Sequence, residues 1–197
     1  MAEPTEAVWS EAQVMVDELA AKSEQQKKAP PTSTVVEKFA DNEAVWTLDE
    51  KGRPLSVEAT LKSVQKTERS KEEIKAQGSV GGSSRLEDDD GGHLIGHRFM
   101  SDQGLKNLFP QNANLNRSAY KKMENELADW TKEGCQVKLK VVLSPPGAER
   151  PKEITAYYEA KNPDTGKIVF RRRHNFNNMS GESFERVKRK DMKYYKG

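Results

Sequence analysis

The chain has 197 residues, of which 34% are hydrophobic and 32% charged, and its formal net charge is +2. That length supports one sizeable domain with an appendage but not two full cores, and the near balance of charge excludes a simple polycation. The single cysteine, Cys135, excludes an internal disulfide framework and a zinc site built from thiolates. No apolar run approaches the roughly 18 residues of a membrane-spanning helix.

The first residues, MAEPTEAVWSEAQ, are acidic and lack the charged-then-apolar pattern of a secretory signal peptide. Residues 5–28 are expected to form an amphipathic helix, with Val8, Val14 and Leu19 on its apolar stripe. KKAPPTST ends it, because consecutive prolines cannot continue a helix. The expected organisation is therefore an N-terminal helix and proline linker over residues 1–31, serving delivery or docking, and a main domain over residues 32–197. AVWTL and LSVEATL flank the turn residues DEKGRP and predict a hairpin. KTERSKEEIKAQ predicts a short polar helix and GSVGGSS a flexible loop.

EDDDGGHLIGHRFM, residues 87–100, sets Glu87, three aspartates and two glycines before His93. It is too glycine-rich for a helix and too polar for a core strand, so a loop is expected. KNLFPQNANLNRSAY, with Pro110 and four asparagines, is also expected as a loop. From Ser118 the pattern is helical, with Tyr120, Met123, Leu127 and Trp130 at spacings of three and four and Gly134 as the stop. QVKLKVVLS, KEITAYYEA and KIVFRRRHNF alternate apolar and polar residues and predict three strands. SGESFERVKRK is expected to open a helix capped by Ser183. The order predicts an α+β fold with an antiparallel sheet.

The chemistry concentrates between a β element and a helix. Asn116 lies 23 positions after His93, and Glu124 lies eight positions after Asn116 on the predicted helix. A loop histidine, an amide oxygen at a helix start and a helix carboxylate can meet around one hard cation. A neutral imidazole is a suitable base for water, and a hard divalent ion takes oxygen ligands and stabilises charge on phosphate. Gly91 and Gly92 would let the chain turn sharply and let a phosphate approach.

DDGGHLIGHRF, NLFPQNANLN and RSAYKKMENE together resemble the DNA/RNA non-specific endonucleases of the His-Me finger (ββα-metal) superfamily, in the branch found as bacterial toxin domains. The resemblance covers residues 53 to 176 and rests on D-x-G-H, N-L-x-P-Q, L-N-x-x-x-Y and x-E-N-E in that order. It implies a His-Me finger core. It also implies that His93 is the general base, that Asn116 binds Mg²⁺ or another divalent cation such as Mn²⁺, and that Glu124 orders metal-bound water. Many relatives read D-R-G-H, whereas this chain has Gly91 at the second position. An arginine for the phosphate must then come from elsewhere, with Arg69, Arg85 and Arg98 as candidates.

Asp90 has the best claim among the three acids to a role in the site, and Gln111 is a candidate substrate contact or loop brace. From Asp164 to Gly197 ten Lys/Arg face four acids, so Arg171, Arg172 and Arg173 are candidate phosphate contacts. These features imply a metal-dependent nuclease of little sequence preference, acting on DNA or RNA. The toxin-branch resemblance and the missing signal further imply synthesis in a bacterial cytoplasm, delivery by a specialised secretion system through the N-terminal helix, and a cognate immunity protein. The rival reading is a non-catalytic nucleic-acid-binding or adaptor protein that retains the fold.

Overall fold

The computed structural model describes residues 31–196. The helix expected over residues 5–28 lies outside them. Six strands form one antiparallel sheet: β1 (Ser33–Phe39), β2 (Asn42–Leu48), β3 (Pro54–Leu61), β6 (Gln136–Ser144), β7 (Glu153–Lys161) and β8 (Ile168–Asn177). Their spatial order is β1-β2-β3-β6-β7-β8. β4 (Asp89–His93) and β5 (Leu108–Asn112) make a separate two-stranded ribbon, and α1 (Lys71–Ser79) precedes it. After β5 the chain turns at once into a helical stretch. A short turn, Ala113–Leu115, passes through a π-helical turn at Asn116–Tyr120 into α2 (Lys121–Lys132). Two strands followed by a helix are the core expected of a His-Me finger, and the molecule is an α+β protein built on an antiparallel sheet.

The sheet follows from alternation. In β6, Val137, Leu139, Val141 and Leu143 are buried, while Lys138 and Lys140 on the other face are exposed. The buried face carries Trp46, Val57, Leu61, Ile154, Tyr158 and Phe176, and α2 lays Met123, Leu127 and Trp130 into the same cluster. Each fully buried side chain of this size contributes about 1.5–3 kcal/mol. Two polar bonds tie the ribbon's connection to that core. The Tyr120 hydroxyl donates to the Leu94 carbonyl at 2.7 Å, and the Trp46 indole donates to Asn107 Oδ1 at 3.2 Å.

Four expectations change. β1 was not foreseen, because STVVEKF shows no clean alternation and its residues are exposed or half-buried. The segments at 89–93 and 108–112, expected as loops, are strands paired residue for residue from Asp89↔Asn112 to His93↔Leu108. Nearly all their residues are buried, so their backbone groups need partners and find them in each other. The helix begins at Ala113, before Ser118, with the Asn112 side chain accepting from the amides of Asn114 and Leu115. The helix expected from Ser180 does not form. That segment is irregular up to a 3₁₀ stretch at Arg189–Tyr195.

Candidate active site

His93 ends β4 and is buried, as is Glu73 on the neighbouring α1. The His93 Nε2 lies 2.9 Å from Glu73 Oε1. The other carboxylate oxygen of Glu73 accepts from the Gly104 amide at 2.9 Å. Burial pushes the Glu73 carboxyl up, but the hydrogen bonds from His93 and Gly104 outweigh it and hold it below its ordinary range. With Nε2 occupied, Nδ1 is the ring nitrogen that no described residue engages.

Asp90 stands three residues before, at half-burial. Its carboxylate accepts from Asn116 Nδ2 at 2.9 Å and from Arg117 through two bonds of 2.8 and 2.6 Å. Burial raises its carboxyl, and these donors more than reverse the effect. Because the amide nitrogen of Asn116 is spent on Asp90, its Oδ1 remains as an unused acceptor. The rest of the acidic run is structural. Asp89 is buried against Arg150, at 2.7 and 2.8 Å, and Asp88 accepts from Asn112.

Glu124 rises from the first turn of α2 beneath Gly96. A Cβ on Gly96 would stand 2.7 Å from Glu124 Oε1, so only glycine leaves the carboxylate its place. No hydrogen bond or ion pair among the described residues engages that carboxylate. Burial raises its pKa above the usual range, against the pull of His93, Arg98, Lys121 and Arg69. His93, Asn116, Glu124 and Asp90 line one cleft of about 1120 Å³. Lys66, Arg69, Arg85, Arg98, Arg117 and Lys121 line it against the acids Glu68, Asp90 and Glu124, so the cleft carries an excess of positive charge.

The three candidate arginines differ in how they are held. Arg85 donates to the carbonyls of Gln77 and Asp89, and Arg98 donates to Asn125. Arg69 makes no hydrogen bond or ion pair among the described residues and faces the cleft. His97, also on the cleft wall, is engaged on both ring nitrogens. Its Nε2 lies 3.0 Å from Asp102 and 3.1 Å from Ser101, and its Nδ1 lies 3.4 Å from Thr67.

Two groups of candidates lie elsewhere. Gln111 is fully buried and absent from the cleft lining, so it cannot touch a nucleic acid in this conformation. Its side chain instead fills the space left by Gly92, whose Cβ would sit 2.0 Å from Gln111 Oε1. Arg171, Arg172 and Arg173 are on β8, at the far edge of the large sheet, and none lines the cleft. Arg171 pairs with Glu159, and Arg172 pairs with the buried Glu126, while Arg173 is exposed. Three of the six Lys/Arg beyond them are also paired, Arg186 with Asp129 and both Arg189 and Lys196 with Glu133.

The sequence model of the DNA/RNA non-specific endonucleases matches residues 33–162. The chain belongs to that family. The Type VII secretion system protein EssD of Staphylococcus aureus, in strains USA300 and NCTC 8325, is 33% identical over 122 residues, 58% of this chain. The chain spans about one-fifth (19%) of the length of those relatives. Two structures of NucA from Streptococcus agalactiae share the fold. The magnesium-bound one has a TM-score of 0.53 at 12% identity, covering 73% of each chain. The metal-free one has a TM-score of 0.52 at 13% identity, covering 77% of this chain and 84% of NucA.

The endonuclease resemblance left one position unexplained, and packing explains it. A Cβ on Gly91 would stand 2.3 Å from the Gln77 carbonyl oxygen and 2.6 Å from its Cα. Here α1 packs its backbone directly on the motif, so no side chain fits where many relatives carry arginine. Glu73 is the site residue that sequence reasoning missed. It lies 20 positions before His93 in a polar stretch, and nothing local marks its carboxylate as different from that of Glu72.

Among the described residues no cluster of three or more His, Cys, Asp or Glu could hold a metal. The donors present are an amide oxygen with its nitrogen tied back and a carboxylate with no protein partner. Such a set fits a hard ion that keeps most of its waters, and does not fit zinc.

Proposed function

We propose that this chain is a divalent-metal-dependent endonuclease that hydrolyses phosphodiester bonds in DNA or RNA with little sequence preference. The observation that carries the reading is the meeting of His93, Asn116 and Glu124 in one cationic cleft. His93 accepts a proton from water as its oxygen attacks phosphorus. Arg69, the cleft arginine with no hydrogen bond or ion pair among the described residues, binds a phosphate oxygen, and Arg98 and Lys121 add to the field around it. Asp90 keeps the Asn116 amide turned so that its oxygen faces the reaction. Glu124 orients water by accepting its hydrogen bonds. A divalent cation such as Mg²⁺ or Mn²⁺, held through Asn116 with Glu124 beside it, would stabilise the negative charge that develops on the phosphate oxygens.

The likeness to a Type VII secretion system protein supports a further part of the reading. The chain is proposed to be the nuclease part of a secreted antibacterial effector, neutralised in its producer by an immunity protein. The N-terminal 31 residues are proposed as its docking or delivery segment. The test is incubation of purified protein with plasmid DNA and with total RNA, with Mg²⁺ or with a chelator. Metal-dependent cleavage of either substrate is expected, and intact substrates under every condition refute the reading.

A further inference from the structure

The contact between α1 and the catalytic strand has a chemical use. Gly91 allows the backbone of α1 to lie against β4, and the Gln77 side chain donates to the Gly91 carbonyl at 2.9 Å. This docking brings Glu73, one turn of helix before Gln77, to the Nε2 of His93. Glu73 is held at three points, one on its backbone and two on its carboxylate. Ser70 caps α1 by accepting the Glu73 amide at 3.0 Å, the Gly104 amide binds Oε2, and His93 binds Oε1. Ser70 is itself anchored, its amide donating to Asp102, which also holds His97. A buried carboxylate so restrained accepts a proton donor and has no room to become a ligand for substrate.

We infer that Glu73 is a positioning residue for His93: it accepts the Nε2 proton, fixes the tautomer that presents Nδ1 to the cleft as a base, and stabilises the imidazolium formed on turnover. This rests on the proposed nuclease reading for its catalytic consequence, though not for the tautomer itself. In the step concerned, the water oxygen bonds to phosphorus and its proton passes to Nδ1. The P–O bond to the leaving oxygen breaks, and that oxygen takes a proton from solvent. A neutral histidine has one donor and one acceptor nitrogen, and the partner of one decides the role of the other. Replacing such a carboxylate by an amide lets the wrong tautomer form, which in a serine protease triad costs about 10⁴ in rate. A second consequence follows from charge. His93 also faces the His97 ring, at 6.1 Å between centroids, and shares the cleft with Glu124. Among the described residues Glu73 is the carboxylate in direct hydrogen bond with it, so its charge is the one placed to stabilise the imidazolium.

The experiment has an arm that needs no activity. Nitrogen-15 NMR of the imidazoles in the wild-type protein at neutral pH should show His93 protonated on Nε2 and bare on Nδ1. The opposite tautomer overturns the inference, whether or not the protein cleaves nucleic acid. The second arm is steady-state cleavage of a labelled duplex by the wild type, Glu73→Gln and Glu73→Asp, with circular dichroism melts alongside. Glu73→Gln should lose about 10²–10⁴ in kcat with KM within a few-fold. Glu73→Asp should recover part of the rate. A folded Glu73→Gln with wild-type kcat overturns the inference. If Glu73→Gln does not fold, the wild-type tautomer decides.

Discussion

Replacing Arg172 by Gln should damage stability and leave the active cleft alone. The Glu126 carboxylate is completely buried, accepts from the Tyr158 hydroxyl at 2.5 Å and the Val187 amide at 2.6 Å, and has Arg172 as its close counter-charge at 3.0 Å. Removing one partner of a buried ion pair costs about 3–5 kcal/mol. The Arg172 side chain is 24% exposed, so solvent already screens part of the pair. A loss of about 2–3 kcal/mol is the reasonable scale. Loss of the guanidinium contacts over Phe170 and Phe184 acts in the same direction. For a domain of this size the loss corresponds to a fall in Tm of about 4–12 °C. The pH dependence has a definite sign. Burial raises the Glu126 carboxyl, and Arg172 is one of the groups pulling it back down. Without Arg172 the carboxyl rises further. An acid whose folded pKa lies above its unfolded value costs stability as pH rises through that window and not below it. The deficit of the variant should therefore be largest near neutral pH and shrink on acidification. Thermal melts by circular dichroism between pH 5 and pH 8, with binding of duplex DNA measured in parallel, make the comparison. An unchanged Tm together with weakened binding would refute the structural role and return Arg172 to the nucleic-acid surface.

Asn116→Ala and Glu124→Ala should each raise the Mg²⁺ concentration needed for half-maximal cleavage, and an unchanged titration in both would move the metal site elsewhere. Gly96→Ala should reduce cleavage while leaving the fold intact, because the new methyl displaces the Glu124 carboxylate; normal activity would mean that the carboxylate is not needed where it stands. Arg69→Gln should weaken substrate binding and flatten its dependence on salt, by about 0.9 in logarithmic slope for one lost contact on duplex DNA. A slope equal to wild type would give the phosphate to another cation of the cleft.

Much of this was legible in the sequence, for identifiable reasons. His93, Asn116 and Glu124 sit in short motifs whose spacing is set by one ribbon and one helix, so local pattern brings them together. β2, β3, β6, β7 and β8 have one wet face and one dry face, and alternation marks them. β4 and β5 are nearly all buried and contain two glycines and a proline, so neither period nor composition marked them as strands. Glu73 was hidden because its partner arrives through tertiary packing at Gly91. The basic tail read as a polyanion surface because composition does not show partners. Glu126 and Asp129 on α2 and Glu133 at its C-cap follow at spacings of three and four, and they take up Arg172, Arg186, Arg189 and Lys196. Ion pairs and the buried anchors Phe184 and Met192 hold that tail across the helix where a helix of its own was expected.

His93 is proposed to supply the base for phosphodiester hydrolysis in the cleft it shares with Asn116 and Glu124. The most direct test of that role is single-turnover cleavage of labelled duplex and single-stranded substrates by the wild type and His93→Ala at saturating Mg²⁺, with affinity measured separately by fluorescence anisotropy. The account predicts a rate lower by about 10²–10⁴ in the variant at nearly unchanged affinity. Cleavage by His93→Ala at the wild-type rate would contradict it.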